Sequence, residues 1–115
     1  MEYHEPYENL TPLARNINRA INSLREELEA INWYNQRVVV SDDKELADIM
    51  AHNRDEEIEH ACMALEWLRR NMPGWDENLR TYLFTDKPVT EIEDAEAGGE
   101  NEGGTGGSGL GIGKL

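Results

Sequence analysis

An apolar stripe near the start of the chain limits the folds open to it. Ile17, Ile21, Leu24, Leu28 and Ile31 recur at alternating steps of four and three, the spacing that lines one side of an α-helix through two heptads. Thr11 ahead of Pro12 marks the start, because threonine can cap free N–H groups and proline at the first helical position gives up no hydrogen bond. The spacing predicts a helix from there to about Arg37. Such a helix cannot bury its stripe alone and has to find a second one. Val38, Val39 and Val40 are β-branched and disfavour continuation, and Ser-Asp-Asp after them offers turn and capping chemistry. Asp42 with Glu45 three positions on fits a capping box, opening a second helix at about Asp43 that runs to about Met72 and stops at Pro73 and Gly74. A short third helix is predicted over "DENLRTYLF", where Leu79, Tyr82 and Leu83 share a side and could fold back on the pair.

The pattern therefore reads as all-α, two long antiparallel helices with a short C-terminal helix. Four segments follow: an N-terminal arm (1–10), the helical hairpin (11–85), a flexible acidic and Gly-rich linker (86–109), and a terminal apolar segment (110–115). Roughly 85 residues are left to fold, a size at which one hydrophobic core is thin. With 38% hydrophobic residues the hairpin is expected to seek a partner surface, so an oligomer is expected. The 24 acidic residues against 11 basic ones, a net charge of −13, argue against nucleic acid and anionic membranes and favour cations as ligands. The opening "MEYHEPYENL" has no basic region leading into an apolar run, and no stretch approaches a membrane span, which predicts a cytosolic protein. Cys62, the lone cysteine, follows Ala61 and reads as a small buried thiol without a catalytic role.

The second helix carries chemistry on the stripe it should bury. Met50, Asn53, Glu57, His60, Ala64 and Trp67 follow 3, 4, 3, 4, 3 spacing, and Glu57 to His60 forms the pattern E-x-x-H. A carboxylate and an imidazole three residues apart lie one turn from each other and can reach one metal ion. On the first helix Glu27 falls at the edge of the apolar stripe, with Tyr34 seven positions further along. Burying unpaired carboxylates costs several kcal/mol each, on the order of what a bound cation can offset. Di-iron carboxylate bundles take one Glu from each of two helices and one E-x-x-H from each of two others. This chain supplies half of that set. A two-fold dimer would complete both the ligands and a four-helix bundle, with four carboxylates and two histidines. Oxygen and nitrogen donors of this mix suit iron, manganese or zinc, and four carboxylates with two histidines favour a pair of irons reacting with O₂, with Tyr34 as ligand, hydrogen-bond donor or redox neighbour.

"SLREELEAINWYNQR", "HNRDEEIEHACMALEWLRR" and "RTYLFT" together resemble the encapsulated ferritins, two-helix relatives of ferritin carried inside encapsulin shells. The resemblance implies a ferroxidase centre formed at a dimer interface, with Glu27, Glu57 and His60 as iron ligands, Tyr34 beside them and Trp33 near the centre. It implies a ring-shaped decamer of five dimers. It also implies secondary metal sites at Glu26 and Glu29 on the first helix and at His52, Glu56 and Glu59 on the second. Asn32 stands where a carboxylate is expected and supplies none. The terminal "LGIGKL" looks like the targeting peptide by which cargo docks on the inner wall of an encapsulin shell, Leu110 and Ile112 pointing the same way on an extended strand. Lys114 departs from the serine more usual there.

The expectation is then a ferroxidase that oxidises Fe(II) with O₂ at a di-iron site shared between two chains. Mineral storage falls to the surrounding nanocompartment, since an open ring of hairpins has no cavity. Two rivals stand beside it. One is a non-catalytic, metal-stabilised helical adaptor. The other is a peroxide-consuming di-metal protein resembling rubrerythrins, for which the paired C-x-x-C ligands are missing.

Overall fold

In the computed structural model residues 3–103 are described, with side chains described to residue 96. Two long helices carry the first part of the chain: α1 over Pro12–Val40 and α2 over Lys44–Asn71. Two shorter ones follow, α3 over Trp75–Tyr82 and α4 over Val89–Gly103. The described residues are all-α. No helix among them is long and apolar enough to cross a membrane. The chain divides after Asn71 into two compact units.

In the first unit α1 begins as its sequence dictates, Thr11 accepting from the Ala14 N–H at 3.0 Å with Pro12 at the first helical position. It runs three residues beyond Arg37. Val38 continues the packed stripe and is half-buried, which outweighs the few tenths of a kcal/mol a β-branched residue costs in a helix. Ser41 then closes α1, its N–H and hydroxyl both donating to the Arg37 carbonyl at 3.0 and 2.6 Å. At the start of α2 the cap is Asp43 rather than Asp42, its Oδ1 accepting from the Leu46 N–H at 2.9 Å. With three residues between them the long helices pack antiparallel. Asn35 meets Arg54 close to the turn, and Glu27, further from it, feels the charges of Glu57 and His60.

Ile17, Ala20, Leu24, Glu27, Ile31, Tyr34 and Val38 line the packed side of α1, and Ala47, Met50, Arg54, Glu57, Ala61, Ala64 and Leu68 that of α2. Ala61 and Leu68 are the buried apolar side chains among the described residues, and Leu68 is fully enclosed. The seam on α2 thus lies one position from the expected Asn53, His60 and Trp67, because the small alanines at 47, 61 and 64 let the helices approach there. Ile21 and Leu28, expected inside the stripe, stand exposed on its flank, as do Ile49, Ile58 and Met63 on α2. Cys62 is exposed, a correction that follows from the same offset: Ala61 takes the interior position and its neighbour turns about 100° outward.

Ahead of α1, a single 3-10 turn at Tyr7–Asn9 is clasped by Arg15. Its Nε and Nη2 donate to the Tyr7 carbonyl at 3.2 and 2.8 Å while its guanidinium lies 3.7 Å from the Tyr7 ring centre. Near the end of α2 Arg69 and Arg70 both bind Glu66 at 2.7 Å and pull its carboxyl down to about 2.

In the second unit Gly74 precedes α3 at φ 101°, a conformation that only glycine adopts without strain. α3 is shorter than the nine residues expected and is followed by Phe84 in the left-handed region at φ 60°. The expected linker carries α4. Its residues "EIEDAEA" are mostly good helix formers with Glu91 in the first turn, and the Pro88 carbonyl accepts from the Glu91 and Ile92 N–H groups. Leu110 to Leu115 lie outside the described residues.

Candidate metal centre

Two of the donors predicted from sequence, Glu57 and His60, pair on α2, and the third, Glu27 on α1, feels the charge of both. Glu27 lies within the packed stripe of α1, not at its edge, and Glu57 occupies the corresponding place on α2. Glu57 Oε1 is 3.2 Å from His60 Nδ1, one turn on, with the histidine side chain 46% exposed and the glutamate 28%. His60 therefore stands at the rim of the seam, leaning back toward the interior carboxylate.

Glu27 is the informative residue. Its Oε2 is buried and has no hydrogen-bond partner. Loss of water around the carboxylate raises its pKa above the ordinary value, the charge of Glu57 raises it further, His60 opposes, and Glu26 adds a smaller push upward. A buried carboxylate oxygen without a donor costs free energy in the metal-free protein. A cation would relieve both the missing partner and the repulsion between Glu27 and Glu57. Two carboxylates and an imidazole form a mixed oxygen and nitrogen set that fits iron, manganese or zinc. Among the described residues no three His, Cys, Asp or Glu side chains make a closed ligand cluster within one chain.

The remaining predicted residues distribute as follows. Tyr34 is half-buried on the α1 stripe, with the Arg37 guanidinium 5.3 Å from its ring centre. Trp33 is exposed and lines a shallow surface groove with Gln36, Arg37 and Val40, on the side of α1 turned away from the seam. Asn32 accepts from Gln36 at 3.1 Å. Glu26, Glu29 and Glu59 are exposed. On the outer side of α2, His52 Nε2 lies 3.6 Å from Glu56 Oε1. Of these five, Glu26 acts on Glu27 through its charge.

Two residues that sequence reasoning passed over border the group of Glu27, Glu57 and His60. Arg54 sits on the α2 stripe three residues before Glu57, and its Nη1 crosses to Asn35 Oδ1 on α1 at 3.1 Å. The available signal was spacing: 47, 50, 54, 57, 61, 64 and 68 form a stripe as regular as the one through His60, but an arginine within it reads as surface.

Residues 2–86 match the EncFtn-like family. Over 115 residues the chain is 63% identical to the ferritin-like protein of Thermotoga maritima, covering 99% of this chain and 97% of that one. It is 56% identical over 120 residues to the encapsulated ferritin-like protein of Rhodospirillum rubrum, covering 97% and 86% respectively. The crystal structure of protein ne0167 from Nitrosomonas europaea superposes with a TM-score of 0.74 at 57% identity, covering 77% of this chain and 98% of that one.

Proposed function

As the chain belongs to the EncFtn-like family, we propose that it is a ferroxidase, taking Fe(II) as substrate and O₂ as oxidant at a centre shared by two copies. The observation that carries this reading is the unpartnered buried Oε2 of Glu27 beside the Glu57 and His60 pair. Each chain offers two carboxylates and one imidazole, and two chains related by a two-fold axis offer twice that, the donor set of a di-iron carboxylate bundle. A pair of Fe(II) ions supplies the two electrons that, with two protons, reduce O₂ to hydrogen peroxide.

The residues of the chain do the rest. Glu27 and Glu57 bind through oxygen and compensate the positive charge that grows as Fe(II) becomes Fe(III). His60 contributes nitrogen from the rim, where it can swing as iron enters and leaves. Tyr34, one heptad from Glu27 on the same stripe, closes the interior side. The exposed Glu26, Glu29, His52, Glu56 and Glu59 lie on surfaces that would attract Fe(II) and act as secondary sites. Exposed Ile21, Leu28, Ile49 and Met63 give the apolar area that dimers, and the ring-shaped decamer beyond them, would cover.

An anaerobic Fe(II) titration of the assembled protein, followed by air, tests the reading. The expected result is one tightly bound iron per chain and Fe(III) formation well above the protein-free rate. Tight binding without faster oxidation would leave a metal-stabilised helical scaffold instead.

The relative from Rhodospirillum rubrum is an encapsulated protein by its name. For this chain we read Leu110 to Leu115 as the segment that docks on an encapsulin shell, delivering Fe(III) to the compartment for mineral growth. Deleting those six residues is expected to leave oxidation intact and abolish co-purification with the shell. Packaging of the truncated protein would refute this.

A further inference from the structure

Arg54 poses a problem of pairing. It lies on the packed stripe of α2, its side chain only 27% exposed, three residues before Glu57 on the same helix. Arginine and glutamate three apart on a helix are within reach of an ion pair. Across the seam Glu27 also has a buried oxygen without a donor. Yet Arg54 binds neither. Its Nη1 donates to Asn35 Oδ1 at 3.1 Å and its Nε to Asp55 Oδ1 at 3.0 Å, so two acceptors turn the guanidinium away from the carboxylates. The charges acting on Glu27 agree with this placement: Glu57, Glu26 and His60 perturb it, and no arginine is among its main influences.

We propose that Asn35 and Asp55 form a latch that holds Arg54 off Glu27 and Glu57 and so keeps the metal centre open. Asn35 is the principal element, because it reaches from the other helix, whereas Asp55 is a solvated neighbour. The inference rests on the reading of Glu27 and Glu57 as iron ligands. If the latch is released, the guanidinium becomes an internal competitor of the metal. It can offer charge-assisted hydrogen bonds to the same oxygens that Fe(II) has to take. Asn35, Asp55 and Arg54 are positioning residues in this scheme, acting through the carboxylates and not on iron.

The test is anaerobic Fe(II) binding to the full-length assembled protein by equilibrium dialysis, with circular dichroism verifying that each variant is folded. Asn35→Ala is expected to lower Fe(II) affinity about tenfold, the strength of one charge-assisted pair set against the metal. Arg54→Gln alone is expected to bind as well as the parent or better, and the double variant to regain parental affinity. That reversal separates the latch from a structural role: if the bond between Asn35 and Arg54 merely fixed helix register, Arg54→Gln would lose affinity too and the double variant would not recover. Either of those results, or parental affinity in Asn35→Ala, overturns the latch. Glu27→Gln is the control for the reading beneath it. Loss of binding there together with a failed reversal would refute the latch alone, whereas parental binding in Glu27→Gln would overturn the centre and the latch with it.

Discussion

Glu27→Gln is expected to slow Fe(II) oxidation by more than about 100-fold, since replacing a supporting residue at a metal site already costs 10 to 100-fold and this one is a proposed ligand. The same change is expected to leave the metal-free protein as stable as the parent, or more so. The two halves of the prediction have one cause. The carboxylate of Glu27 is placed where it is unfavourable without a cation: one oxygen is buried without a partner, and Glu57 repels it. The amide keeps the shape, removes the repulsion and brings its own donor to the seam. Stopped-flow oxidation and a urea melt of metal-free protein measure the two effects separately. A variant that oxidises iron at the parental rate would sink the assignment.

The pH dependence carries the same signature with its sign fixed. The Glu27 carboxyl has a folded-state pKa above its unfolded value, chiefly through burial. The folded metal-free chain therefore holds this proton more tightly than the unfolded one. Its contribution to stability is present below the ordinary carboxylate pKa and is lost as pH rises through the raised value. Iron needs the anion, so Fe(II) affinity rises over the same interval. Metal-free stability and iron affinity should run in opposite directions across that window, and both slopes should flatten in Glu27→Gln.

Leu68→Ala is the second change with a large expected effect. Leu68 is 0% exposed, and deleting a buried leucine costs about 2–5 kcal/mol through lost transfer energy and the cavity left behind. A domain holds about 5–15 kcal/mol in total. In a two-helix hairpin whose other buried apolar residue is an alanine, there is little else to absorb the loss. The metal-free variant should melt well below the parent in thermal circular dichroism. Because the leucine lies eight residues beyond His60, Fe(II) should still bind and recover much of the melting temperature by mass action. A parental melting temperature would mean that the stability of the hairpin resides elsewhere.

Much of this was legible in the residues. Thr11 and Pro12 placed the start of α1, and the step pattern of Ile17, Leu24 and Ile31 gave a long amphipathic helix. E-x-x-H and Glu27 pointed to a centre divided between copies, a reading on which the orphaned oxygen of Glu27 bears directly. What escaped the sequence has physical reasons. The seam on α2 was set one position off because alanine contributes little to an apolar pattern, although Ala47, Ala61 and Ala64 decide how closely the helices approach. Arg54 escaped because an arginine inside a stripe is recognisable only once its hydrogen bond to Asn35 is seen. α4 reads as linker because its glycines and acidic residues resemble solvated coil in composition, while the Glu and Ala run that starts it favours helix. The side on which Ile21 and Leu28 stand is a property of two packed helices, and one helix's periodicity does not contain it.

The thin interior has a consequence for how the protein lives. A hairpin whose described residues enclose one alanine and one leucine has little to keep it folded at high dilution. If copies pair as proposed, its folded fraction becomes a function of supply: scarce chains would linger open to proteases, and abundant ones would pair and persist. On the proposed reading of a centre shared between copies, expression level would then act as a switch, clearing chains made too sparsely to complete that centre before they could hold iron by half of it.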